Sequence, residues 1–407
     1  MNWIEKMIVE QCPNGVKKAK LGDAGDFYNG VTGKNKNDFV GGNATFITYM
    51  NVYNNPSLKT EVEDKVVIAE GEKQNTIEYG DCLFTTSSET PEECGMSSVL
   101  THKPKTKLYL NSFCFGYRFN DLSSICPAFY SHLFRSNALR LAISKTANGV
   151  TRFNVSKKLF GKISIPLPPL SIQEEIVSVL DKFSELIEKT DEEIALRQKQ
   201  YEYYREKLLT FEDGEVEWKK IVDIVANDCT ISYGIVQPGE GVDFGVPVVR
   251  PVDMVGPITY NKNLKNTTQE ISNSYKKTLL KGGELLICVR GTTGIISIAA
   301  DDLKGCNVTR GIVPLWFKQE YNKKYIYYVS LSTKIQDDIE SYTNGAGLRQ
   351  INIKDLKQIK LPIPSLSRQQ EIVETLDKFE ALISKLKEER ELRQKQYEYY
   401  REKLLTF

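Results

Sequence analysis

The sixteen residues LRQKQYEYYREKLLTF occupy positions 196–211 and recur letter for letter at 392–407. A shift of 196 positions extends the match upstream without a gap. It aligns IPLPPLSIQEEIVSVLDKFSELIEKTDEEIALRQKQYEYYREKLLTF (165–211) with LPIPSLSRQQEIVETLDKFEALISKLKEERELRQKQYEYYREKLLTF (361–407). Self-similarity at a fixed shift marks a chain assembled from copies of one unit. Each copy opens on prolines and a Ser-x-x-Glu/Gln pair, Ser171 with Glu174 and Ser367 with Gln370. This is the spacing of a capping box, which satisfies amide donors at a helix start.

Beyond that start, apolar residues recur at steps of four and three. The first copy carries Ile176, Leu180, Phe183, Ile187, Tyr201, Tyr204 and Leu208, and the second Ile372, Leu376, Phe379, Ile383, Tyr397, Tyr400 and Leu404. The spacing predicts a heptad seam held for about five heptads, on helices of about 40 residues and about 60 Å. A seam needs a partner helix, and the other copy supplies one. Each helix follows a globular segment, so the first leaves one domain and arrives at the next, and antiparallel pairing follows. Arg197, Arg390 and Arg393 interrupt the seam, either fixing its register or snorkelling outward. Packing constrains only the seam, yet Gln198, Lys199, Gln200, Glu202 and Lys207 are identical to Gln394, Lys395, Gln396, Glu398 and Lys403. Two explanations stand open: a recent duplication, or one kind of partner docking on each copy.

The segments 1–168 and 212–364 match weakly but in the same order. VKKAKLGD (16–23) echoes VEWKKIVD (216–223), YGDCLFTT (79–86) echoes GGELLICV (282–289), and NGVTRFNV (148–155) echoes AGLRQINI (346–353). Alternation in KLYLNSFCFGYRF and GVPVVRPV predicts short strands, and PAFYSHLFRSNALRLAIS and KKYIYYVSLSTKIQDDIESY predict one or two helices each. The expected architecture is α+β with a pseudo-twofold internal repeat: a domain at 1–168, a helix at 169–211, a second domain at 212–364 and a second helix at 365–407. The two long helices are expected to pair as an antiparallel coiled coil.

At 407 residues, with 41% hydrophobic and 26% charged content, the chain is long enough for two or three domains. It has no apolar run of eighteen residues, and MNWIEKMIVE lacks the basic start and apolar core of a signal peptide, so the expected location is the cytoplasm. Net charge is +1, distributed as +4 for 1–170, −4 for 171–211, +1 for 212–364 and zero for 365–407. A polyanion would therefore meet the domains rather than the helices. The eight cysteines form no CxxC pair, and with only His102 and His132 to join them they read as reduced, mostly buried thiols.

Catalytic motifs are sparse. A methyltransferase needs a glycine-rich cofactor loop and an Asn/Asp-Pro-Pro-aromatic signature, and neither occurs. GVTGKN (30–35) fails the spacing of a phosphate loop and has Asn35 where the magnesium-binding hydroxyl belongs.

The tandem variable domains, the near-identical helices after each, the starts PLPPLSIQEEI and PIPSLSRQQEI and the RQKQYEYYREKLLTF ends resemble the specificity (S) subunit of type I restriction-modification systems. The likeness covers the whole chain. It implies two target recognition domains, each reading half of a split site on double-stranded DNA, and a helix pair that sets the gap and docks two methyltransferase (M) subunits. Restriction (R) translocase subunits would join the complex. It implies no catalytic residue, cofactor or metal in this chain, with S-adenosylmethionine, ATP and magnesium on the partner subunits. Two major-groove readers on one stiff spacer need half-sites about one turn apart, near 10 bp, and two different domains imply an asymmetric site. The alternative class is a protein-protein scaffold with duplicated partner-binding helices. Sequence-specific retention by duplex DNA with a salt slope separates the two.

Under this resemblance, side-chain chemistry selects the DNA-binding candidates, because Arg and Lys pair with guanine and phosphate while Asn and Gln pair with adenine. In the first domain these are Lys34, Lys36, Thr85, Thr86, His102, Lys103, Lys105 and Arg152. In the second they are Gln237, Arg250, Arg290, Thr292, Thr293, Arg310, Arg349 and Gln350. Arg290, Thr292 and Thr293 lie in the glycine-punctuated stretch CVRGTTGI (288–295). The basic cluster THKPKTK (101–107) suits phosphate positioning rather than base reading.

Overall fold

A computed structural model of the chain describes residues 3–212, 214–254, 256, 258–345 and 349–407. They form two compact units, Met1–Asp191 with Glu388–Phe407, and Glu192–Lys387. Two long helices, Leu170–Leu209 and Leu366–Leu404, each contribute one part to each unit.

The first unit opens with the helix Trp3–Gln11, whose Ile4 joins the core, and then a two-strand clasp, Lys18–Lys20 antiparallel to Ser164–Pro166, followed by the one-turn helix Leu21–Ala24. The clasp brings the start of the domain beside the residues that lead into the long helix. Within it, Gly25–Asn29, Cys114–Phe119, Cys82–Thr85 and Ser97–Val99 form an antiparallel sheet in that order. A second sheet places Ala44–Ile47 between antiparallel Lys65–Val66 and parallel Leu108–Leu110. Helices Pro127–Leu133 and Asn137–Ser144 complete the unit, so the first predicted helical stretch resolves into two.

The second unit repeats this plan. Its clasp is Glu217–Lys220 with Lys360–Ile363, and its central sheet pairs Leu285–Cys288 with Ile296–Ile298 and Ile312–Leu315. Val246–Val249 lies between antiparallel Lys265–Thr267 and parallel Asn307–Val308, and its helices are Lys323–Ser330 and Thr333–Ser341. One close approach recurs in both. A Cβ on Gly30 would lie 2.1 Å from the Asn111 carbonyl oxygen, and one on Gly234 2.1 Å from that of Val308, so each chain crossing admits only glycine. The echo of VKKAKLGD with VEWKKIVD holds, since both enter the clasp and its one-turn helix. The echo of NGVTRFNV with AGLRQINI is out by two residues. The buried pair Val155 and Ile351, followed by the helix caps Ser156 and Asn352, sets the correspondence at a shift of 196. Ala346, Gly347 and Leu348 of that stretch lie outside the described residues.

The long helices form part of each core. In the first unit Ile172, Ile176, Leu180, Leu404 and Leu405 pack with Phe84, Phe115, Phe134 and Phe160. The Phe84 ring meets Phe160 at 4.8 Å and Phe134 at 5.0 Å edge-on, a favoured aromatic geometry. In the second, Ile372, Val373, Leu376 and Leu209 pack with Tyr325, Tyr328, Leu285 and Ile287. The seam is antiparallel in both units. Phe183 stacks on Tyr400 at 5.2 Å in the first, and Tyr204 on Phe379 at 5.4 Å in the second. His132 Nδ1 and Tyr397 Oη lie 3.0 Å apart, and His132 Nε2 and Asp181 Oδ1 2.8 Å apart, tying the first domain to both helices. At the corresponding place in the second unit Tyr328 Oη donates to Asp377 and Tyr201 Oη to Glu380.

The three seam arginines divide. Arg393 crosses to donate to the Leu186 carbonyl and the Thr190 hydroxyl, and Arg390 crosses to Asp191 at 3.1 Å. Both Arg393 and Arg197 also pair back along their own helices, with Glu389 and Glu193, but Arg197 Nη1 donates to Gln200 rather than crossing. The acceptor decides: in the second unit the place of Thr190 belongs to Leu386, which offers none.

The helix starts differ from expectation. The assigned helices begin at Leu170 and Leu366, so Ser171 and Ser367 sit in the first turn and the reciprocal Ser–Glu/Gln bonds do not form. Pro169 lacks an N–H and is suited to a helix start. Ser365 accepts from the Arg368 amide through its hydroxyl. The fully buried Gln173 and Gln369 fasten each start to its domain. Gln173 accepts from the Cys126 amide and donates to the Ser124 and Pro168 carbonyls. Gln369 accepts from the Asn322 amide and donates to the Pro364 carbonyl.

Candidate nucleic-acid interface

In each unit one short bridge joins the central sheet to the segment that leads out of the domain. Ser87 faces Asn154, and the Val155 amide donates to the Thr86 carbonyl at 2.9 Å. Arg290 faces Gln350, and the Ile351 amide donates to the Val289 carbonyl at 3.0 Å. Arg290 thus holds in the second unit the place that Ser87 holds in the first.

In the second unit this bridge gathers five of the candidates. Arg290 opens a loop that turns on Gly291 (φ +83°) and Gly294 (φ +88°), left-handed positions that favour glycine. The Gly291 amide donates to the Arg349 carbonyl at 2.9 Å. Thr292 Oγ1 lies 3.5 Å from Cys288 Sγ, and the Thr343 hydroxyl donates to Thr293 at 3.5 Å. Gln350 donates to Asn352 at 3.2 Å, and the Arg349 guanidinium pairs with Glu340. From the helix behind, Gln336 Nε2 donates to the Gly294 carbonyl at 3.1 Å and the Ser330 carbonyl at 2.7 Å. Gln336→Ala removes that brace, a hydrogen bond worth roughly 1 kcal/mol. We expect faster amide exchange at 291–294 with the rest of the unit unchanged, and unaltered exchange there would show that the loop holds itself.

Of the other candidates, Arg250 has its side chain committed to the fold. Arg250 grips Asp253 through Nε at 2.9 Å and Nη2 at 2.8 Å, bracing the turn that Pro251 starts. Arg310 is half-buried, with its amide donating to the Ile235 carbonyl at 2.8 Å. Gln237 is exposed on the loop that follows.

In the first unit Thr85 is fully buried and its hydroxyl accepts from the Met96 amide at 2.9 Å, so its side chain faces the core and not a ligand. This corrects its place among the candidates; only Thr86, half-buried at the bridge, retains one. Lys34 pairs with Glu72 at 2.6 Å and is largely buried, which closes the phosphate-loop reading of GVTGKN. The Lys34 contact, with further hydrogen bonds from Gln74 and the Ala69 amide, pulls the Glu72 carboxyl down to about 2. A carboxylate held below its unfolded value stabilises the fold above about pH 4.3 and loses that contribution as pH falls toward 2. Lys34→Ala is expected to return Glu72 toward the ordinary carboxylate range in an NMR titration, and an unmoved Glu72 would assign the depression to its other partners.

Lys36 is exposed on the short turn Lys36–Phe39 that Asn35 caps. On the THKPKTK loop His102 Nε2 lies 2.9 Å from the Thr60 hydroxyl, Lys105 pairs with Glu61 at 2.9 Å on the open surface, and Lys103 is exposed. Such exposed pairs contribute little to stability and leave the loop less cationic than its sequence. Arg152 is exposed, with Nε donating to the Ser87 hydroxyl at 3.2 Å and its guanidinium 6.0 Å from the centre of the Phe113 ring.

Phe113, Ser87 and Gln336 were not among the candidates, and no local pattern singles them out. Nor does any mark Arg140, which occupies the place of Gln336 in the first unit and donates to the carbonyls of Glu92, Cys94 and Gly95. Burial there lowers the Arg140 guanidinium to about 10.

Among the described residues no group of three or more His, Cys, Asp or Glu is placed to hold a metal, and no helix is long and apolar enough to cross a membrane. The eight cysteines are free thiols, five of them buried.

A tandem of one α+β domain, each copy followed by a long helix and carrying polar loops of differing content at one sheet edge, defines a duplicated recognition scaffold. Residues 13–196 and 222–394 match the type I restriction modification DNA specificity domain, and the chain belongs to that family. It is 34% identical over 279 residues to a type I restriction enzyme specificity subunit of Escherichia coli, an alignment covering 62% of this chain and 64% of that protein. The chain thus spans just under two thirds of that relative's length. Among solved structures it resembles a chain from work on the complex assembly and conformational transition of the type I R-M system, with TM-score 0.62 and 19% identity over 97% of this chain and 98% of that one. It also resembles the type I restriction-modification S subunit of M. genitalium, with TM-score 0.51 and 15% identity over 96% of both chains. At these identities the structural likeness speaks for the fold.

Proposed function

We propose that this chain is the DNA sequence-specificity subunit of a type I restriction-modification complex. Each domain reads one half of a bipartite, asymmetric site, and the helix pair sets the gap. One observation carries the reading: the same sheet-edge bridge occurs in both units, but with Ser87 and Arg152 in one and Arg290, Thr292 and Gln350 in the other. A common frame with different contacts is what reading two different half-sites requires. The chain acts without chemistry of its own, in the cytoplasm, and S-adenosylmethionine, ATP and magnesium belong to the M and R subunits it assembles.

The repeated helix surface supports docking of two M subunits. Part of the sequence identity serves each unit's own fold: Glu206 accepts from the Thr333 amide and Glu402 from the Asn137 amide, capping equivalent helices. Leu196, Lys199, Tyr203 and Lys207, and their counterparts Leu392, Lys395, Tyr399 and Lys403, are exposed instead. Apart from Lys403, 3.8 Å from Glu5, and the Lys207 ammonium over the Tyr203 ring, their exposure gives the fold little hold on their identity, and two copies of one partner would supply it.

The test is co-expression with the chain's genomic neighbours, followed by single-molecule sequencing of host DNA. A single split, asymmetric methylation motif that vanishes when the chain is omitted is the expected result. Methylation that is unchanged without it would leave the protein-protein scaffold standing.

A further inference from the structure

We propose that Arg152 reads a guanine in the half-site bound by the first domain, through the major-groove edge, with Ser87 and Phe113 as its positioning residues. This rests on the specificity-subunit reading and sharpens it.

The turn that carries Arg152 is built for close approach. Strands Ala147–Asn148 and Phe153–Val155 pair antiparallel and are joined by residues 149–152. Gly149 has φ +148°, and a Cβ there would lie 2.0 Å from the Arg152 carbonyl oxygen, so the turn closes only with glycine. The backbone behind is fixed as well: the Thr86 amide donates to the Phe113 carbonyl at 2.8 Å, and the Tyr49 hydroxyl to the Ser87 carbonyl at 2.8 Å.

Among the candidate cations Arg152 alone is held at its neck by another side chain and left without a carboxylate. Lys34, Lys105, Arg250 and Arg349 each pair with Glu or Asp. Arg152 spends Nε on Ser87 and lies over a ring that is itself 58% exposed. Its Nη1 and Nη2 make no hydrogen bond among the described residues. A guanidinium with its plane set and its fork open matches the O6 and N7 acceptors of guanine. The same fork also fits a phosphate bidentately, which a uniform fall in methylation with an intact motif would reveal. Val150 stands beside it on the same turn, 90% exposed, an apolar group of the kind that meets a thymine methyl.

The experiment uses the intact methylating complex in two steps. First, wild type, R152A, R152K and S87A are read out by genome-wide methylation sequencing. R152A and R152K are expected to relax one guanine position in one half-site by about tenfold, with the other half-site and the gap unchanged, and S87A to relax the same position less. Second, wild-type complex is titrated against duplexes with 7-deazaguanine at each guanine of that half-site. One position is expected to weaken binding about tenfold, which keeps the test open even if a variant fails to assemble. A uniform fall in methylation with the motif intact, rescue by R152K, or indifference to 7-deazaguanine at every position would each overturn the proposal in favour of a phosphate contact or none. Absence of any chain-dependent motif in wild type would instead sink the specificity-subunit reading itself.

Discussion

Replacing Asp81 by alanine is expected to destabilise the first unit by roughly 3–5 kcal/mol, the cost of breaking a buried ion pair. Asp81 is fully buried and accepts four hydrogen bonds: from Arg118 Nε and Nη2 at 2.8 Å each, and from the Tyr28 hydroxyl and the Glu78 amide at 2.7 Å each. The hydrogen bonds to Asp81 hold the Arg118 guanidinium well above its ordinary value, and burial together with Asp81 pushes the Tyr28 phenol up. Removing the carboxylate leaves a hydroxyl and an amide without that acceptor and leaves Arg118 with only the Thr76 carbonyl at 2.9 Å and the more exposed Glu78 at 3.0 Å. The figure falls at the lower end, because 37% of the Arg118 side-chain surface reaches solvent. Glu284 holds the corresponding place in the second unit, but there, among the described residues, it accepts only from the Lys281 and Gly282 amides. Glu284→Gln keeps one acceptor oxygen where the carboxylate offers one to each amide, so it should cost roughly 1–3 kcal/mol for the amide left unpaired. Hydrogen exchange followed unit by unit under denaturant separates the two cases. Equal losses would mean that Arg118 contributes nothing beyond the turn.

The second large effect concerns assembly. Tyr203 and Tyr399 are 60% and 61% exposed, each edge-on to the next tyrosine at 5.3 Å. Exposed aromatic rings at repeated positions are the side chains that dominate binding energy at interfaces. On the proposed docking of two M subunits, changing either one to glutamate is expected to reduce the bound M subunits to one, as read by native mass spectrometry, and changing both to abolish binding and methylation. Each ring projects away from the core of its unit, so the fold should survive, and an unchanged melting curve is the control. Two M subunits retained on the double variant would move the docking face elsewhere.

The sequence revealed the repeat, the long helices and their seam because those features are periodic. Leu180 and Leu376 announce their burial through neighbours three and four residues away, and the structure buries both completely. Contacts between distant residues left no such trace. Arg152 and Ser87 are 65 positions apart, and Lys34 and Glu72 are 38 apart, so nothing nearby distinguishes a free cation from a paired one. Thr85 was misplaced for a related reason. The strand Cys82–Thr85 is buried on both faces, and without alternation the last core position cannot be told from the first exposed one. Arg250 could have been sorted correctly, since Asp253 three residues on forms a turn-bracing pair. The helix starts went astray because the Ser-x-x-Glu/Gln pattern is degenerate, and Gln173 and Gln369 gain meaning only from the domain carbonyls and amides they reach.

The clasp has an architectural consequence. In each unit the strand that begins the domain pairs with the strand that ends it, and the long helix starts within a few residues of that pairing. Everything between the two strands is in effect a closed loop hung from a fixed ribbon. Lengthening or shortening such a loop changes its closure entropy only logarithmically and leaves the ribbon where it was. The content of either domain can therefore be rewritten, or a whole cassette traded for another of different size, without altering the phase of the helix that follows. The vocabulary of such a chain is free to drift while its grammar stays fixed.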